Sequence, residues 1–176
     1  MKKTLSVLCL LAAFLVCLPL TSCDYSKEEK LIGKWKCSMT MSEESADATI
    51  SGTFTFNKDG SYRLDFVMPL RQEEDGTVTS MTIKGYQSGE WYVIGSDLYT
   101  TTNSCDAKLT KAKIYNEWLG SYDVTGSDLR ELEDEFIPDL VSALQEDDEA
   151  DEITTLTSNT LGLTFEGMTL ICTRVQ

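Results

Sequence analysis

From Leu31 onward, apolar and polar residues alternate in short runs broken by turn residues. This period of two constrains the fold more than any other feature of the chain. Successive strand side chains point to opposite faces, so each run predicts a strand with one buried and one solvated face, as in antiparallel sheet. Trp35, Cys37, Met39 and Met41 alternate with Lys34, Lys36, Ser38 and Thr40. Residues 50–56 alternate around Ser51, Thr53 and Thr55, and Asn57-Lys58-Asp59-Gly60 supplies turn chemistry. Tyr62, Leu64, Phe66 and Met68 then resume the period, which predicts a hairpin. Further strands are expected at 78–86, 90–94 and 97–102, with Gly95-Ser96 between the last two and a polar loop over 70–77. Residues 105–122 satisfy neither period and read as partly strand. Runs at 153–157, 161–165 and 168–175 complete the series, with Glu166-Gly167 as a tight turn.

One segment follows a different rule. Leu129, Leu132, Phe136, Leu140 and Leu144 recur at steps of three or four, which predicts an amphipathic helix over 127–146 capped by Ser127. Pro138 is expected to kink or divide it. Residues 145–152 form an acidic run, read as a solvated loop because clustered carboxylates alone do not make a calcium geometry. Eight to ten strands and one inserted helix suffice for an all-β, mainly antiparallel closed barrel, which removes exposed sheet edges.

The N-terminus carries an address. Met1-Lys2-Lys3 is basic, residues 5–20 are almost uninterruptedly apolar, and small residues lead into Cys23, as a secretory signal requires. About 16 apolar residues fall short of the roughly 20 that span hydrocarbon. Leu20-Thr21-Ser22-Cys23 resembles the lipobox of bacterial lipoproteins. The resemblance implies diacylglyceryl transfer to the Cys23 sulfur, cleavage of the signal peptide 1–22, and a membrane partner reached through covalent lipid. Cys17, preceded by Phe14 and Val16, fits the small-residue pattern less well. Two or more acyl chains anchor stably where one does not. Residues 23–30 are polar and charged and read as a flexible tether. Extended, that tether would reach at most about 30 Å. Lys27-Glu28-Glu29 is similar to the acidic export signal of surface lipoproteins in Bacteroides-like bacteria. Asp24 beside the cysteine would instead suggest inner-membrane retention in enterobacteria. Because the acidic cluster extends beyond Asp24, the expected location is the outer membrane, with exposure at the surface.

Removing residues 1–22 from the 176 leaves 154, enough for a single core-bearing domain over 31–176. It also removes two of the 15 basic residues, leaving 13 against 29 acidic ones, a net charge of −16. That charge disfavours nucleic acid and anionic membrane surfaces as partners and favours solubility. Histidine is absent, which removes the usual general base near neutral pH, Ser-His and Cys-His nucleophile pairs and imidazole ligands. No phosphate loop, EF-hand or paired CxxC pattern occurs, and no carboxylate pair stands out among the 29. The reading assigns no catalytic residue, no metal and no cofactor, and expects a protein that is not an enzyme.

Several segments together resemble the lipocalin-like domains of Bacteroides-type lipoproteins. They are Leu31-Ile32-Gly33-Lys34-Trp35, Thr55-Phe56-Asn57-Lys58-Asp59-Gly60-Ser61-Tyr62, Gly89-Glu90-Trp91 followed by Gly95-Ser96-Asp97-Leu98, and the ending from Met168 to Arg174. The resemblance covers most of 31–176 except about 105–150. It implies a calycin-type barrel whose closed end is plugged by Trp35, with Arg174 packed across it in a cation–π contact. If Trp35 lies opposite Arg174 on antiparallel first and last strands, Cys37 lies opposite Cys172 two steps on. These two are then either a disulfide, favoured by an oxidising exported compartment, or two buried thiols. Cys105 reads as a buried thiol. The helix departs from the family pattern, since two or three strands follow it. It either lids the barrel mouth or covers an apolar outer face. Tyr62, Leu64, Phe66, Trp91 and Val93 are the candidate lining of a cavity for a small apolar or amphipathic ligand. The alternative is a filled barrel that docks a protein or glycan partner.

Overall fold

The computed structural model describes residues 22–43, 46–146, 150–165 and 167–176. Residues 1–21 of the expected signal peptide, part of the acidic run and Glu166 lie outside that set. The chain forms helix α1 (Ser22–Leu31), strands β1 (Gly33–Glu43), β2 (Ala46–Phe56), β3 (Ser61–Glu74), β4 (Thr77–Ile94), β5 (Asp97–Asn116) and β6 (Gly120–Val124), helix α2 (Ser127–Glu146), and strands β7 (Asp151–Leu156), β8 (Thr160–Phe165) and β9 (Met168–Arg174). The protein is mainly antiparallel β. Its nine strands make one sheet in the order β4-β3-β2-β1-β9-β8-β7-β5-β6, and β4 also pairs with β5. The ladder therefore returns on itself through β1, β2, β3, β4, β5, β7, β8 and β9, with β6 attached to β5.

Two contacts complete that cycle, and both are short. β1 meets β9 over Trp35–Cys37, and β5 meets β7 at Asp97↔Glu152 and Leu98↔Asp151. Beyond them β3, β4 and β5 run on, to lengths of 14, 18 and 20 residues. The molecule thus has a ring end, where strands pair all round, and an open end, where β1 and β6 border an incomplete sheet. Each end has its own apolar cluster. Leu31, Trp35, Cys37, Phe56, Tyr62, Trp91, Val93, Leu98, Leu161, Leu163 and Cys172 fill the ring end. At the open end Phe66, Met68, Met81, Ile83, Leu109, Ala112 and Val124 pack with Ile137, Phe136, Leu140 and Leu144 of α2.

Several expectations differ from the structure. Residues 70–77 are not a loop: β3 and β4 run through them and turn at Asp75-Gly76, both with positive φ (48° and 72°), as a tight two-residue hairpin requires. The expected strands at 78–86 and 90–94 are one strand, and the strand expected at 97–102 continues to Asn116. Residues 23–30, read as a flexible tether, lie in a stretch whose backbone is helical from Ser22 to Leu31. Pro138 does not divide α2, which runs as one element from Ser127 to Glu146 with Pro138 exposed.

α2 covers the inner face of the open end rather than an outer one. Tyr62, Phe66 and Met68 share a face of β3, as Trp91, Val93, Ile83 and Met81 do of β4, so both clusters lie on the same side of the same strands. The helix occupies, at the open end, the side on which β7, β8 and β9 close the ring end.

Candidate functional site

On β1 and β9, Trp35 lies opposite Arg174 and Cys37 opposite Cys172. The Arg174 guanidinium sits 4.1 Å from the Trp35 ring centroid. Its nitrogens donate to the carbonyls of Ile32 (2.9 Å), Ser158 (2.6 Å) and Lys30. The planar fork thus ties α1, the β7–β8 turn and β9 together, a task for which a lysine lacks the donors. Trp35 is fully buried, and its indole Nε1 donates to Leu31 O at 2.7 Å. Gly33 makes the arrangement possible: its φ of 130° suits glycine, and a Cβ there would lie 2.5 Å from Arg174 Nη1. Cys37 and Cys172 are joined by a disulfide with Cα atoms 4.3 Å apart, bridging 135 residues of chain.

The five candidate cavity residues do not form one group. Tyr62, Trp91 and Val93 are buried in the ring-end cluster, where Trp91 packs edge-on against Phe56 at 5.2 Å. Phe66 belongs to the open-end cluster and Leu64 packs against it. Trp91 also borders an external recess of about 460 Å³ beside Glu28, Ile32, Lys58 and Gly60. At the open end, Phe136, Ile137, Leu140 and Leu144 of α2 pack against the cluster that holds Phe66.

Between the two clusters lies a polar seam that sequence reasoning missed. Gln87, the buried polar residue among the described core positions, donates from Nε2 to Thr102 Oγ1 (2.6 Å) and to Leu144 O (2.8 Å). Thr102 Oγ1 also lies 3.2 Å from the Tyr62 hydroxyl. Leu144 is in the last turn of α2, whose carbonyls lack intrahelical partners. Gln87 thus terminates the helix from across the sheet. Its signal was legible as a polar residue at an inward position between Ile83 and Trp91. A second cross-link uses a bulge. Thr110 is the extra residue between the pairs Thr82↔Lys111 and Ile83↔Leu109, and the Leu109 N–H donates to Glu133 Oε1 at 3.2 Å. These groups are neutral amides, hydroxyls and one carboxylate engaged in structure, and nothing in them pairs a nucleophile with a base.

The outer surface offers three features. A recess of about 590 Å³ lies between α2 and the β3–β4 turn, floored by Leu132 and Phe136 and rimmed by Glu74, Asp75 and Glu135. The β5–β6 hairpin exposes Tyr115, Trp118, Leu119 and Tyr122, with Trp118 91% and Leu119 78% accessible. Its tip is held in place, since Asn116 accepts from the Trp118 N–H (2.9 Å) and donates to Thr77 Oγ1 (3.1 Å). Lys84, Lys108, Lys111 and Lys113 are exposed along β4 and β5 leading to that tip. Cys105, free among the described side chains, is half-buried, and burial raises its thiol pKa, so it lacks the environment of a reactive thiolate. No described helix is long and apolar enough to cross a membrane. No protein-family model matches this chain, and no curated protein matches it in sequence.

Proposed function

We propose that this chain is a non-enzymatic lipoprotein, held at the outer membrane through acylated Cys23, whose lipocalin-like barrel serves as an interaction module. The cyclic strand pairing and the Trp35–Arg174 closure support the lipocalin-like reading. The observation that carries the choice of module over ligand carrier is the packed inner face: Tyr62, Phe66, Trp91 and Val93 are buried in two side-chain clusters, and α2 is packed over the second. The docking surface is then outside. The β5–β6 hairpin concentrates four exposed large apolar or aromatic side chains in a chain of net charge −14, and exposed lysines lead up to it. Tyr and Trp with flanking cations suit a protein or glycan partner that presents apolar and anionic groups together. A photo-crosslinking amino acid in place of Trp118, in cells of the native host, tests this. A discrete adduct that disappears when the probe is moved to Arg71 is the expected result, and equal labelling from both positions would count against the module.

A second reading has its own observation. The recess beside α2 exceeds the roughly 300 Å³ at which small-molecule sites begin, and Leu132 and Phe136 give it an apolar floor. An amphipathic molecule with a cationic group would fit there. Native mass spectrometry of protein purified from its host separates the readings: a stoichiometric added mass that Phe136→Asp abolishes supports the ligand.

A further inference from the structure

We infer that the ring end is the membrane-facing surface, and that Ile94, Tyr92 and Val175 meet the lipid interface of the bilayer that holds Cys23. The inference rests on the acylation of Cys23 proposed above and adds to it an orientation and a contact surface. Its first support is the form of the link. Cys23 lies in the first turn of α1, and Leu31 at the other end of that helix is fully buried in the ring-end cluster. Eight helical steps advance about 12 Å, where the same residues extended would reach nearly 30 Å. The acylated residue is therefore a short, stiff stem away from the core.

The stem is fixed at its base. Lys27 Nζ donates to Gly95 O at 2.5 Å, Trp35 Nε1 to Leu31 O, and Arg174 to Lys30 O and Ile32 O. A chain held this way cannot swing freely about its lipid. The β4–β5 turn and the end of β9 are brought to the membrane side with it.

Exposed apolar side chains mark that side. Ile94, 58% accessible, immediately precedes Gly95, which receives Lys27, and Tyr92 is exposed two residues back on the same strand face. Val175 is exposed beside the start of β1, where its N–H donates to Lys34 O. Lys30 and Lys34 are exposed nearby. Aliphatic and tyrosine side chains with lysines beside them are the set that settles at the headgroup level. The exposed apolar group at Trp118 is far from it: β5 has 20 residues, and at about 3.3 Å each it leads some 60 Å along its contour from the Gly95 turn to the opposite tip.

The test uses the full acylated chain, its lipid verified by intact mass, in vesicles of phosphatidylethanolamine and phosphatidylglycerol. Cys105→Ala removes the free thiol, and Ile94→Cys, Val175→Cys or Trp118→Cys then carries an environment-sensitive fluorophore. Nitroxide-labelled lipid is expected to quench the probes at 94 and 175 roughly twofold or more and to leave 118 unchanged. Equal quenching at 94 and 118, or none at 94 and 175 in an acylated chain, overturns the orientation while leaving the anchor intact. A mass without lipid in chain taken from its host overturns the anchor, and this inference with it.

Discussion

The ring end and the open end are made of the same strands yet are consolidated in different ways. At the ring end the wall is backbone: β1 pairs β9, β5 pairs β7, and the closure is reinforced by one disulfide and one guanidinium over an indole. At the open end β1 and β6 leave the sheet incomplete, and the missing wall is a helix that contributes side chains but no ladder hydrogen bonds. α2 must therefore be held by individual side-chain contacts, and Gln87 and Glu133 supply two of them. The difference teaches that a sheet can be completed either by strand pairing, which cross-links distant chain, or by apolar packing with a few polar ties. The second route leaves the more easily opened half.

The comparison can be broken most severely at Trp35. Trp35→Ala should cost about 3–5 kcal/mol in urea unfolding, against about 2–5 for Ile83→Ala at the open end. A larger loss at Ile83 would reverse the ranking of the two ends. Next comes the covalent tie. Replacing Cys37 and Cys172 together by serine should cost about 2–5 kcal/mol, and reduction of the native protein should reproduce that loss. The seam is third: Gln87→Ala leaves the Leu144 carbonyl only the longer bond from Thr102 Oγ1 (3.5 Å) and should cost about 1–3 kcal/mol. Hydrogen exchange should place that loss in the last turns of α2, with the ring end unaffected, whereas uniform acceleration would mean that the two ends unfold as one.

Two smaller effects sharpen the contrast. Burial pushes the Cys105 thiol up, so its alkylation near pH 8 should lag behind a free thiol and catch up in denaturant. Asp59 lies in the turn before β3, where bonds from the Ser61 hydroxyl and N–H hold its carboxyl below the ordinary value of 3.8. A depressed folded pKa means that this contribution is present above that ordinary value and is lost as pH falls through the folded one. Asp59→Asn should therefore flatten the acid limb of the stability profile slightly.

Much of the ring end was readable in advance, because its strands keep a strict period of two and its closing pairs follow from one register. Trp35 and Arg174 were picked out by the lipocalin-like resemblance, and Cys37 opposite Cys172 followed from setting those two opposite each other on antiparallel strands. The open end was harder for a specific reason. β5 carries two extra residues, Asn103 and Thr110, opposite the register shifts at Ser88/Gly89 and Thr82/Ile83. Its buried side passes from Leu98 and Thr102 to Ala107 and Leu109 and back to Ala112, changing parity twice, so residues 105–122 fit no single period. In β4, Gly85, Gln87 and Gly89 occupy inward positions without apolar side chains, which made one strand look like two. Gly85 and Gly89 are small because a Cβ at either would strike the β5 backbone. Asp75-Gly76 was a legible hairpin signal that the surrounding charge concealed.

The amino-acid sequence by itself determined that the chain builds antiparallel strands with one amphipathic helix. Those properties are local, set by the two-residue repeat of a strand and the 3.6-residue repeat of a helix. Only the tertiary structure decided that α2 lies on the inner face, that the candidate cavity residues divide between two packed clusters, and that residues 23–30 form a helical stem. Each of these depends on which apolar face remains uncovered once distant strands have paired. An alternation pattern states that a face must be buried, and the packed chain alone chooses what buries it.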